Sequence, residues 1–174
     1  MKLFTLLSFL ILSPTGAFAQ HAHADNAVAT ETGQAAFAAI SEIVLLLQKD
    51  PQTNWSEVSI PALREHLVDM DRVTMLSKTT TRQSGEGLAF HVSGDGETVD
   101  SIQRMTVAHA SMLAAQTGWA VTANATKNGA ILQIQTSDSG DLQKAKALGF
   151  YGVMAIGAHH QSHHLMIATG HNPH

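Results

Sequence analysis

The chain contains no cysteine. That excludes disulfide stapling, thiolate zinc sites and covalent haem attachment through CxxCH, and it leaves His, Met, Asp and Glu as candidate metal donors. Basic side chains are scarce: 10 Lys and Arg stand against 14 Asp and Glu, a formal net charge of −4. Nucleic-acid-binding domains normally carry a basic patch, so this balance argues against such a partner. Nor do the basic residues cluster as they would for an anionic membrane surface. The apolar run at residues 3–12 is shorter than the roughly 20 residues a transmembrane helix needs. There is no nucleophile elbow, no phosphate loop and no pair of catalytic carboxylates near the histidines, so no enzyme class is indicated.

The first residues, MKLFTLLSFLILSPTGAFAQ, combine a positive Lys2, a short apolar stretch and an Ala17-Phe18-Ala19 cleavage site. That is the pattern of a secretory signal and predicts a periplasmic or secreted protein. Residues 1–19 are read as signal peptide, residues 20–33 as a small, polar, flexible tail, and residues 34–174 as a single domain.

Within that domain the hydrophobic period changes twice. Residues 34–49 read as a helix with Phe37, Ile40, Val44 and Leu47 on one stripe, ended by Asp50-Pro51. Residues 60–70 read as a second helix, with Ser59 as N-cap and Pro61 in the first turn. A Thr-rich strand is expected at 73–82, its hairpin partner at 88–92 and a helix at 98–116. A second hairpin follows, 119–126 and 130–136, joined by the turn Lys127-Asn128-Gly129. One long helix is then expected over 141–169. The predicted fold is α+β: two N-terminal helices, then two β-β-α units, giving a four-stranded antiparallel sheet with helices packed on one face.

Of 11 histidines, four fall within AHHQSHHLMIA: His159, His160, His163 and His164. If the last helix is continuous, its apolar stripe (Leu142, Ala145, Leu148, Gly149, Gly152, Ile156) runs on to His159, His163 and Ile167. His160 then flanks that stripe and His164 points further out. Imidazoles at i,i+4 on one helical face can chelate a metal, and two such pairs occur, His159/His163 and His160/His164. No glutamate stands between them, so the HExxH metalloprotease version fails. A solvated helix end with cationic histidines near its C-terminus is the plainer alternative.

Further donors are candidates to complete the site. His109 sits in its helical stripe with Met105 and Met112, a soft set that suits copper, especially Cu(I), better than magnesium or calcium. If the two β-β-α helices run in register, His109 lies opposite Gly152, a turn or more behind His159. His66 pairs with Met70 at i,i+4, with Asp69 nearby. His91 is expected to face outward from its strand. The short motifs QHAHAD and HNPH at the ends are auxiliary at best.

His159-His160-Gln161 followed by Met166, with Met154 and Ile156 upstream, resembles the HHQxxxxM motif of a family of small exported ferritin-like helical proteins associated with copper and silver. The resemblance is confined to this stretch. It implies a soft or borderline metal at this helix, with Met166 as a thioether candidate, and does not supply the fold.

The sequence thus predicts an exported metal-binding protein, with copper first and zinc second, acting in metal carriage, buffering or sensing, with another periplasmic protein or a homodimer as partner. The expected ligands are His159 and His163, then His160 and His164, with His109, His66 and Met166 as completers. The alternatives are a non-metal interaction domain with a pH-responsive histidine surface, and a non-covalent haem binder.

Overall fold

The computed structural model describes residues 35–157 and 160–171, all within one compact unit. The predicted signal, tail and terminal HNPH lie outside the described residues, apart from His171 at the start of that motif.

Helix α1 (Ala35–Lys49) buries Ile43 and Leu47, with Ala36, Ala39 and Ile40 partly covered. Its buried stripe is therefore rotated from the expected one, and Phe37 is 59% exposed. Helix α2 (Ile60–Asp71) starts where Ser59 accepts a hydrogen bond from the Ala62 amide, with proline in its first turn. It buries Leu63, His66 and Leu67.

The strand expected from 73 begins later. Arg72–Leu76 instead forms a π-helical turn. Hydroxyls explain this: Thr74 donates to the Met70 carbonyl (2.8 Å) and Ser77 to the Val73 carbonyl (2.6 Å), so side chains satisfy helix-end acceptors and hold the chain helical.

Strands β1 (Lys78–Ser84) and β2 (Gly87–Ser93) form the first hairpin, β3 (Ala120–Thr126) and β4 (Gly129–Gln135) the second. They join as one antiparallel sheet in the order β1-β2-β4-β3. At the β2–β4 seam Leu88 faces Ile134, Phe90 faces Leu132, and Val92 faces Ala130. All six side chains are buried, as strict alternation predicts. Gly129 is required here, because a Cβ would overlap the Val92 carbonyl.

Helix α3 (Glu97–Thr117) and helix α4 (Ser139–Met154) pack on that inner face. Ile102, Leu113, Ala145, Phe150 and Val153 complete this first core. The β-β-α pairs and one-sided helix packing are as the sequence predicts.

The long last helix is not continuous. Gly149 is non-helical (φ 60°, ψ −173°), so the phase resets and Phe150 and Val153 are buried while Leu148 is exposed. After Met154 the chain leaves the helix, and Gly157 takes a positive φ of 82°. Helix α5 (His160–Ala168) then returns to pack on α1 and α2. Ile43, Leu47, Leu63, Leu67, Ile167 and Ala168 form a second core, tied at its end by the Ser59 amide donating to the Ala168 carbonyl at 2.7 Å.

Candidate metal centre

The two cores meet along a seam between α2, α3 and α5, and histidines fill it. His66 of α2, His109 of α3, and His163 and His164 of α5 are all buried. The break before α5 explains how. On a restarted nine-residue helix, His163 and His164 share the inward face with Ile167 and Ala168, one turn on. The expectation that His164 points outward rested on a continuous helix and is corrected by the break. The His66 ring centroid lies 4.8 Å from that of His163 and 5.5 Å from that of His164.

Beside these rings is a cavity of about 150 Å³. Its imidazole donors are His66, His109 and His163; its thioether donors are Met70, Met105, Met112 and Met154. Helical spacing supplies both sets. Met70 follows His66 by one turn on α2, and Met105 and Met112 flank His109 on α3. Met154 closes α4, one turn after Tyr151, whose hydroxyl donates to the Ser77 carbonyl at 3.1 Å and so ties α4 to the end of the π-helical turn.

No carboxylate lines this cavity among the described residues. Asp69 is committed elsewhere: it accepts from Ser101 Oγ (2.7 Å) and from Arg104 Nε and Nη2 (3.0 and 2.8 Å), locking α2 to α3. Partial burial pushes its carboxyl up. The hydrogen bonds from Arg104 and Ser101 and the charges of Arg104 and Arg72 outweigh this and hold it below the usual carboxylate range. Glu65 is exposed and paired with Arg64. Both carboxylates line a separate pocket that they share with His66 and His171.

Among the described residues no group of three or more His, Asp or Glu converges closely enough to hold a metal ion. The donors surround a shared space rather than a single point. No helix among these residues is long and apolar enough to cross a membrane.

Comparison with known proteins returns nothing. No family model matches the chain, and neither a curated protein nor a solved structure matches it.

Of the residues predicted from sequence, His66, His109 and His163 line the cavity, and His164 packs against His66. His160 opens α5, and His159 lies outside the described residues. Met166 is on another surface, 45% exposed in a groove with Leu46 and Leu165. Gln161 of the same motif donates to Glu42 on α1 at 2.6 Å. His91 lies on the sheet face opposite the buried Phe90 and Val92. Sequence reasoning missed Tyr151 and gave Met154 no role in the site. The available signal was Gly157, a helix-stop residue three positions after Met154.

Proposed function

We propose that the chain is an exported copper-binding protein, with zinc as the second choice, that holds its ion in the cavity between α2, α3, α4 and α5. The observation that carries this reading is the lining: three imidazoles and four thioethers drawn from four helices, with no carboxylate. Magnesium and calcium want oxygen donors, whereas imidazole and thioether suit copper. His66, His109 and His163 are the proposed imidazole ligands, with His164 packed against His66. The rings turn about their side-chain bonds to meet the ion. Carriage, buffering and sensing all fit such a site, and a second periplasmic protein or a second copy would be the exchange partner.

The test is metal retained by the purified protein after exposure to equimolar copper, zinc, nickel or haem, then dialysis, beside a His66→Leu/His163→Leu variant. Stoichiometric copper in the parent, lost in the folded variant, is the expected result. Retention by neither protein rejects the metal reading. The ring contacts then favour an interaction domain whose α2–α5 joint loosens in acid, because protonation would set like charges 4.8 and 5.5 Å apart.

A further inference from the structure

The cavity carries two kinds of soft or borderline donor: imidazoles from α2, α3 and α5, and four thioethers from α2, α3 and α4. Four of the chain's seven methionines are gathered here. All four are half-buried, so each is packed against the core and still partly exposed. Met75, 77% exposed, and Met166 lie away from the cavity.

Resting on the copper reading above, we infer that the thioether wall makes the site cuprous-selective and oxidant-labile, so that oxidation of Met70, Met105, Met112 and Met154 to sulfoxides unloads it. A thioether is a soft, uncharged donor that favours Cu(I) over harder ions. A peroxide changes that donor in one step. The sulfur lone pair attacks a peroxide oxygen, the S–O bond forms as the O–O bond breaks, and the departing hydroxide takes the proton of the new sulfur-bound hydroxyl and leaves as water, giving the neutral sulfoxide. The sulfur loses two electrons and the peroxide gains them. The product presents a hard oxygen in place of a soft sulfur and is polar and bulkier, so it opposes both ligation and packing of the cavity wall. The change is reversible by methionine sulfoxide reductases.

The experiment oxidises metal-free protein with hydrogen peroxide, maps sulfoxides by peptide mass spectrometry, and measures anaerobic Cu(I) affinity by competition with a chromophoric chelator. Met75 and Met166 serve as internal references for exposed thioethers. A Met75→Leu/Met166→Leu variant confines the chemistry to the cavity, Met1 aside. A Met70→Leu/Met105→Leu/Met112→Leu/Met154→Leu variant removes the reactive wall while keeping its volume.

Sulfoxides at the four cavity positions should weaken Cu(I) binding by at least about tenfold, the lower end of what disturbing a metal's surroundings costs. Reductase treatment should restore it. The four-leucine variant should bind Cu(I) weakly and ignore peroxide. Unchanged affinity with the cavity sulfoxides mapped would overturn the inference while leaving the copper reading standing. So would unreacted cavity methionines when Met75 is fully converted. Failure of the untreated parent to bind Cu(I) overturns both.

Discussion

Gly157→Ala tests whether the turn between α4 and α5 assembles the seam. Gly157 has φ 82°, where an L-residue pays roughly 1–2 kcal/mol of backbone strain. A Cβ there would also overlap the Gln116 side-chain amide at the end of α3. Gln116 is an exposed residue and its amide is the far end of a flexible side chain, so that overlap can be relieved by its movement. The backbone share remains, and the expected loss is about 1–2 kcal/mol, or about 2–4 with the overlap unrelieved. The strain falls on the chain that returns α5, so α5 and its His163 should loosen first. Urea unfolding gives the total, and hydrogen exchange of the α5 amides gives the location. In a Gln116→Ala background the overlap is gone, so the loss on Gly157→Ala, measured against Gln116→Ala itself, should fall to the backbone share. Full stability with unchanged α5 protection in Gly157→Ala would refute the argument that this left-handed turn positions the histidines.

Asp69→Asn should cost about 1–3 kcal/mol, because it removes the charge from hydrogen bonds joining α2 to Ser101 and Arg104 of α3. Its folded pKa is lowered, so the stabilisation is fully present above the unfolded value of about 3.9 and is lost as pH falls through the folded one. Denaturation curves below about pH 4 should therefore show a shallower acid loss in the variant than in the parent. Met166→Leu should leave copper retention unchanged, since Met166 lines a different groove; loss of retention would restore it as a ligand. Leu132→Ala, fully buried on the sheet, should cost about 2–5 kcal/mol by thermal unfolding; under 1 kcal/mol would contradict the assigned inner face.

The sheet was legible because alternation is a local code. Leu88, Phe90 and Val92, and Ala130, Leu132 and Ile134, declare their inner face wherever the strands lie in the fold. Strand order was not legible, since nothing in either hairpin names its neighbour. The π-helical turn was hidden because Thr and Ser suit strands, yet here their hydroxyls bond back to helix carbonyls. The site was half legible. His66 with Met70, and His109 with Met105 and Met112, were visible as helical pairs, but which pairs meet is a tertiary fact. Treating residues 141–169 as one helix set His109 a turn or more behind the late histidines. Gly149 and Gly157, read as helix-phase breaks, would have brought α5 back onto α2.

The position of the imidazoles carries one more consequence. Each core closes with apolar residues of its own: Leu88, Phe90 and Leu132 around the sheet, Leu63, Leu67 and Ile167 among the helices. The histidines lie where the two meet, and burying an imidazole forfeits hydration that an internal hydrogen bond only partly returns. Leucine is similar in volume and loses no such hydration. If the seam is kept polar for a ligand, His66→Leu/His163→Leu should equal or exceed the metal-free parent in stability, by up to about 2 kcal/mol, while losing copper. Adding copper should raise the parent's melting temperature and leave the variant's in place, because only a native state that binds the ion gains from it. A metal-free variant several kcal/mol less stable than the parent would show that His66 and His163 hold α2 to α5 themselves, and the seam would then be explained by packing.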